Sequence, residues 1–355
     1  MQKKLKEIDS LSVTLLMDNI TDRLLPNSPP FVKRAPMIMN ERFLTPPVAE
    51  HGFSALLQVI SRNKSSSGLN ERGEEEEKRI VYLLDTGVSE NGVVYNSDIF
   101  GIDLTVVEAI ILSHGHVDHF TGLSSILRRI SRPTKVICHP DAFLRRWIVY
   151  PDGNKAMMPI LDEESLINQG AIIKKIKSPS FLPIERDDNS DCHDDDDGNN
   201  NDNKTYSQSS PLLITGQIPR KTIFEKGFPI QYKEGPDKQN LIPDPLVSDD
   251  QGIIANIKGK GLVIITSCGH AGIINTIRYA ISLTGIDRIH AIIGGFHLTG
   301  GIYEDIIDPT IEELQKVNPR YIIPCHCTGW KATNRIINTM PEKFVQTSVG
   351  TTFNF

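Results

Sequence analysis

The stretch Ile110-Ile111-Leu112-Ser113-His114-Gly115-His116-Val117-Asp118-His119-Phe120-Thr121-Gly122-Leu123 decides how the chain is read. Its apolar start belongs to the run Val106 to Leu112, nearly continuous, as expected of a buried strand. Phe120 to Arg129 has helical spacing. Between strand and helix, a tight Gly-containing loop presents three imidazoles and a carboxylate within six residues. Burying that many polar side chains without partners is costly, so they stay in water or bind a metal. A solvated surface loop would account for a lone histidine; this spacing favours a metal. His114 and His116, two apart, can face one way, while Asp118 and His119 face a second position a few ångströms off. Imidazole suits zinc, iron, nickel or copper, and the carboxylate keeps zinc, manganese and iron in play. The expected cofactor is one or two divalent ions, zinc first, with manganese or iron as alternatives.

Working outward, Leu11 to Met17, Phe53 to Ile60, Ile80 to Leu84 and Lys135 to Cys138 read as strands. Residues 26–50 are Pro-rich loop, and 61–79 is a polar excursion whose Glu74–Glu77 run reads as a solvated hairpin tip. Gly252 to Ile257 and Leu262 to Thr266 form a hairpin pattern. Helical patterns at 271–283, 309–317 and 331–340 alternate with strands at 290–293 and 321–323. Strand-rich stretches followed by helices in both halves predict an α/β chain. The expected architecture is two sheets face to face with helices outside, a four-layer α/β/β/α sandwich in one domain spanning 1–355. Residues 140–250 are less regular and read as an inserted cap. Within it 185–210 is acidic and low in apolar residues, and reads as a mobile loop.

Composition narrows the function. The 355 residues carry 38 basic and 44 acidic side chains, a net charge of -6, which argues against a nucleic-acid surface. No apolar run reaches the roughly 18 residues of a membrane span. The basic start lacks the apolar segment of a secretory signal. Five cysteines without framework spacing read as reduced thiols of a cytoplasmic protein. Cys268 and the Cys325-His326-Cys327 run read as ordinary buried thiols around a histidine rather than a thiolate zinc site.

The His-Gly-His-Val-Asp-His run resembles the H-x-H-x-D-H signature of the metallo-β-lactamase superfamily. Leu84-Asp85-Thr86-Gly87, Ser267-Cys268-Gly269-His270 and Pro324-Cys325-His326-Cys327 are similar to its other landmarks, from about residue 10 to about 330. Glu50-His51-Gly52-Phe53-Ser54, Cys268-Gly269-His270-Ala271-Gly272, Gly294-Gly295-Phe296-His297-Leu298 and Cys-His-Cys-Thr-Gly resemble a narrower branch. It is named for 7,8-dihydropterin-6-methyl-4-(β-D-ribofuranosyl)aminobenzene-5′-phosphate synthase. The resemblance implies that His114, His116 and His270 hold one metal, and Asp118, His119 and His326 a second. It implies that Asp85 fixes a ligand imidazole by hydrogen bonding. The chain departs from the superfamily where a bridging Asp is usual: Gly294-Gly295 supplies no ligand there, and His297 is the candidate to compensate or to act on substrate.

Asp118 and His297 are therefore the candidate catalytic residues, and His51, His139 and Arg145 the candidate substrate contacts. The expected function is a metal-dependent enzyme acting on a small organic substrate, phosphorylated or pterin-like. Its reaction is either hydrolysis or C–N bond formation with pyrophosphate release. A promiscuous lactonase or β-lactamase-type hydrolase is the alternative; a nuclease or a non-catalytic metal sensor ranks below both.

Overall fold

The computed structural model describes residues 5–39, 41–62, 77–182 and 211–355. The acidic 185–210 loop, with Cys192 and His193, and the Glu74–Glu77 tip apart from Glu77 lie outside the described residues.

An eight-stranded sheet runs in the order Ala171–Lys175, Thr134–Cys138, Ala109–Ile111, Glu77–Leu84, Ser54–Arg62, Ser10–Met17, Thr352–Asn354 and Val32–Lys33. The first four of these strands are mutually parallel and the rest pair antiparallel. A seven-stranded sheet orders Ser180–Phe181, Leu212–Ile214, Ile253–Ile257, Gly261–Ile265, Ile289–Gly294 and Tyr321–Pro324, with Glu7–Ile8 parallel to Ile253–Ile257. Its last three strands are also parallel.

Period-two alternation puts these sheets face to face. Leu11, Val13 and Leu15 share one buried cluster with Val263, Ile265, Ala291 and Ile293, so this cluster fills the space between the sheets. The alternate residues Leu262, Ile264 and Ile292 pack outward against Ile274, Ile277, Ile311, Leu314 and Ile336. Those residues lie on helices Ile273–Thr284, Ile307–Val317 and Trp330–Thr339. On the other side, Leu83, Ile110 and Val136 meet Val93 of helix Gly92–Phe100 and Leu123, Ile126 and Leu127 of helix Leu123–Ile130. The layers are helix, sheet, sheet, helix, as the strand and helix patterning predicts.

Several boundaries differ from the sequence reading, for identifiable reasons. The strand expected over 106–112 shrinks to Ala109–Ile111, because Asp103 caps a 3₁₀ turn at Leu104–Val106 by accepting the Thr105 N–H (2.9 Å). The helix expected over 120–129 is two pieces, Val117–Phe120 and Leu123–Ile130. The His119 carbonyl accepts the Thr86 N–H (2.7 Å) and the Thr86 hydroxyl (3.1 Å), so it is diverted from the helical ladder. Strands Ser54–Arg62 and Glu77–Leu84 reach further into the 61–79 excursion than expected, paired from Ala55 with Leu84 to Arg62 with Glu77. The stretch 140–250 is not one separate layer. Ala171–Lys175 and Leu212–Ile214 join the two core sheets, while Lys155–Met157, Arg146–Val149, Gln231–Glu234 and Leu241–Pro243 form a four-stranded sheet of their own. Arg146 and Trp147 thus lie in a strand, with Arg145 just before it. No helix among the described residues is long and apolar enough to cross a membrane, and Cys138, Cys268, Cys325 and Cys327 are free thiols.

Arg146 ties the small sheet to the histidine loop. It is 2% exposed, donates to Asp249 at 2.6 and 3.1 Å and to Asp244 at 3.2 Å, and Asp249 also accepts the Gly115 N–H at 2.8 Å. Removing the guanidinium leaves buried carboxylates uncompensated. Arg146→Met is expected to lower stability by about 3–5 kcal/mol in urea unfolding, and adding Asp249→Asn should recover part of that loss.

Candidate metal centre

The histidines sit at the carboxyl ends of the parallel strands of both sheets, where strand ends fan apart and leave a crevice. Asp85 follows Glu77–Leu84, His114 follows Ala109–Ile111, Cys268 and His270 follow Gly261–Ile265, His297 follows Ile289–Gly294, and His326 follows Tyr321–Pro324. Asp85, His297 and His326 are three of the eight non-glycine residues with positive φ among the described residues, at 55°, 48° and 47°. L-residues rarely take that conformation, and its concentration here marks turns held by their surroundings.

His114, His119 and His326 are each oriented by one ring nitrogen, which leaves the other free, whereas both nitrogens of His116 are engaged. His114 Nδ1 meets the Ser113 hydroxyl (2.9 Å), His116 Nε2 meets Gln231 Oε1 (2.6 Å), and His119 Nδ1 meets Asp85 Oδ2 (2.7 Å). His326 Nδ1 meets Asn19 Oδ1 (3.2 Å). The remaining nitrogens, His114 Nε2, His119 Nε2 and His326 Nε2, are buried without a hydrogen-bond partner, as are His270 Nδ1 and His297 Nε2. Groups that converge are His114, His116 and His270; His114, His119 and Cys268; Cys268, His270 and His297; Cys268, His326 and Cys327; and His51, Asp118 and His326. The donor atoms within each group lie within 4.8 Å of one another.

The separations fit coordination. A tetrahedral zinc with Zn–N of about 2.0–2.1 Å spaces its ligand atoms by about 3.3–3.4 Å. His116 Nδ1 and His270 Nε2 are 3.1 Å apart, and Asp118 Oδ2 is 3.4 Å from both His119 Nε2 and His326 Nε2. The donor set of imidazole, carboxylate and thiol suits a divalent transition metal.

Electrostatics divides the cluster. Burial first, then neighbouring imidazoles, pulls His114 and His270 well below the usual histidine range. Burial and the Arg146 charge lower His116 to about 4. These three are neutral, the form that ligates. Burial works against a charge on His119 too, but Asp118 and Asp85 outweigh it and raise His119 well above its ordinary value. Burial pushes Asp118 up, yet His119 and His326 hold it well below the carboxylate range.

The structure also locates the other candidates. His51 is exposed at the rim, with Nε2 3.8 Å from Asp118 Oδ2 and its ring 5.0 Å from that of His326. His139 caps the turn Pro140–Phe143, its Nδ1 accepting the Asp141 N–H (3.1 Å). Arg145 is more than half exposed and pairs with Glu234 (3.5 Å); its neighbour Arg146 is the arginine tied to the centre. Sequence reading passed over Gln231, Ser113, Ser267 and Asn19, whose orienting bonds depend on folding, and it read Cys268 and Cys327 as ordinary buried thiols, whereas their sulfurs lie among the histidine donors. It also passed over Phe228 and Tyr303. Phe228 stacks on His270 with centroids 5.8 Å apart, and Tyr303 lies edge-on to His297 at 4.5 Å. A small cavity of about 20 Å³ opens here, lined by Glu225, Gly227, His270, His297 and Tyr303 among others.

A family profile described as a beta-lactamase superfamily domain matches residues 74–178. The chain is 27% identical over 310 residues to the 7,8-dihydropterin-6-methyl-4-(beta-D-ribofuranosyl)-aminobenzene-5'-phosphate synthase of Methanocaldococcus jannaschii, covering 86% of this chain and 90% of that protein. It is 28% identical over 304 residues to an uncharacterized protein of the same organism, covering 85% and 92%. A solved structure described as a metal-dependent hydrolase of the beta-lactamase superfamily matches with a TM-score of 0.65 at 19% identity, over 96% of this chain and 98% of its own.

The depressed imidazoles make the metal-free protein acid-sensitive. Below a pH of about 6.5 the unfolded chain protonates these histidines while the folded one does not, so stability falls as pH drops toward the folded values. His119 has the opposite sign: its contribution is complete below the unfolded value and is lost only as pH rises through its raised folded value. With His114, His116 and His270 against His119, the urea midpoint of the metal-free protein should be lower at pH 5 than at pH 7.

Proposed function

We propose that this chain, which has the metallo-β-lactamase fold and carries a domain of that superfamily, is a divalent-metal-dependent enzyme acting on a small organic substrate. The observation that carries the reading is the set of buried imidazole nitrogens left without hydrogen-bond partners and aimed at one another. Such atoms are costly unless something binds them. In this reading His114, His116 and His270 hold one ion, and Asp118, His119 and His326 a second, with zinc as the first choice.

A bound divalent ion supplies an acidified water near neutral pH, or positive charge against a phosphate leaving group. The chain's own residues do the rest. Asp85 holds the His119 ring by its Nδ1, so that Nε2 faces the centre. Gln231 does the same for His116 through Nε2, so that Nδ1 faces His270 Nε2 at 3.1 Å. Asp118, kept ionised by His119 and His326, can accept a proton at Oδ2 as well as ligate. His297, whose Nε2 is free, stands beside the cavity as the candidate to position substrate or transfer a proton. His51 at the rim and the Phe228 and Tyr303 rings suit a flat heteroaromatic substrate.

The likeness to the synthase supports a pterin-like or phosphorylated substrate and C–N bond formation with pyrophosphate release as the reaction. Hydrolysis of a lactone or lactam would use the same centre, and assay separates the two. Purified protein is expected to contain one or two divalent ions per chain by elemental analysis. It should turn over a dihydropterin pyrophosphate with a ribofuranosyl-aminobenzene phosphate, and not a chromogenic lactam. His116→Ala should lower metal content and reduce turnover by more than about 100-fold, beyond the range for removing a residue that only orients a ligand. Its fold should persist by circular dichroism. Full activity in that variant, or a metal-free active protein, would end the metal reading.

A further inference from the structure

The donor that no reading so far uses is Cys268. Its sulfur groups within 4.8 Å with donors of His114 and His119, with those of His270 and His297, and with those of His326 and Cys327. One buried sulfur therefore reaches donors assigned to both metal positions. Cys327 has a partner of its own, since its thiol donates to the Cys268 carbonyl at 3.0 Å. Cys268 Sγ faces Cys327 Sγ at 3.1 Å and His297 Nδ1 at 3.3 Å. The backbone makes room for these thiols: a Cβ on Gly295 would lie 2.7 Å from Cys327 Sγ and 2.4 Å from the Ser267 carbonyl oxygen. No side chain from position 295 fits there: Cys327 Sγ takes that space, with Cys268 Sγ beside it at 3.1 Å.

We propose that the Cys268 thiolate is a metal ligand shared between the two positions, which makes the centre a mixed sulfur, nitrogen and oxygen site. The inference rests on the metal-binding reading above. Ligation forms a sulfur–metal bond and releases the thiol proton to solvent, with no change of oxidation state. The distances allow sharing: zinc–sulfur bonds are about 2.3 Å and paired catalytic ions stand about 3.5–4 Å apart, so one sulfur spans both. The chemical consequence is metal choice. A thiolate favours zinc, cobalt or iron over manganese, narrowing the set that imidazole and carboxylate alone leave open.

The test uses the full chain loaded with cobalt(II) and kept reduced by a phosphine. The expected result is a near-ultraviolet thiolate-to-cobalt charge-transfer band, lost in Cys268→Ser and kept in Cys327→Ser, with both variants folded by circular dichroism. Cobalt bound without the band, a band that survives Cys268→Ser, or one lost only in Cys327→Ser overturns the proposal and leaves the metal reading standing. Failure to bind cobalt overturns both. Should Cys268→Ser not fold, X-ray absorption of zinc-loaded Cys327→Ser decides. A sulfur scatterer at about 2.3 Å supports the proposal, and a shell of nitrogen and oxygen alone overturns it.

Discussion

The Asp85 carboxylate is the constraint on which the rest of the centre depends. It is fully buried at the end of the Glu77–Leu84 strand, in a left-handed backbone conformation. Its oxygens accept the Ser113 N–H and hydroxyl (each 2.7 Å), the His119 Nδ1–H (2.7 Å) and the Ser267 hydroxyl. A buried carboxylate persists only when its acceptor sites are filled, and these donors fill them. They come from two segments, Ser113 and His119 from the histidine loop and Ser267 from the end of a strand of the opposite sheet. One side chain therefore fixes the start of the histidine loop, the tautomer of a histidine within it, and the distance between the two sheets where the site opens. The unusual φ follows as a cost of aiming the carboxylate inward, and the bonds offset it.

A second layer of polar contacts comes from the stretch whose sequence looked least ordered. Gln231 orients His116 while its amide donates to Asp244 (3.1 Å), and Asp244 and Asp249 grip Arg146. Asp250 accepts the Ala271 N–H (2.6 Å) just after His270. Glu225 accepts the N–H groups of Ile274 and Asn275 (2.8 and 2.9 Å), capping the helix that follows. Gly272 is needed there, because a Cβ would stand 2.1 Å from the Glu225 carboxyl carbon. The small sheet and its flanking loops thus hold the outer faces of the histidine-bearing loops, rather than simply lying over them.

What could be read beforehand follows from which information is local. The strands at Ser10–Met17, Ser54–Arg62 and Gly261–Ile265 announce themselves by apolar alternation, and the ligand loop by three histidines in six residues. Order fails where the partner is distant. Thr352–Asn354 pairs with Ser10–Met17 from the far end of the chain, and nothing in its composition marks it. The break after Phe120 depends on Thr86, more than thirty residues away, taking a carbonyl. Arg145 and Arg146 are indistinguishable in sequence, yet strand alternation exposes one and buries the other between two aspartates. The thiols were read as packing because the chain has a single Cys-x-Cys with no second pair to complete a thiolate site; only the fold puts Cys268 among histidines from four segments.

The two halves of the centre also differ in charge, and the difference has a physical consequence. His114, His116 and His270 are neutral donors in a dry setting, with Arg146 nearby adding positive potential. The other half carries Asp118 beside His119, whose raised pKa means that the metal-free protein stores a proton between Asp85 and Asp118. That proton occupies the place of positive charge: the two carboxylates are balanced by an imidazolium until another cation displaces it. In the proposed reading, the imidazole and carboxylate ligands by themselves leave a divalent ion at the neutral half more of its charge than one at the acidic half, which is partly neutralised and releases a proton on binding. The imidazolium therefore adds a pH dependence at the second position that the neutral imidazoles do not add at the first, and the thiol proton of a shared Cys268 ligand weighs on both. In that reading the stronger electrophile would stand on the His116 and His270 side, where the Phe228 ring and the small cavity are found.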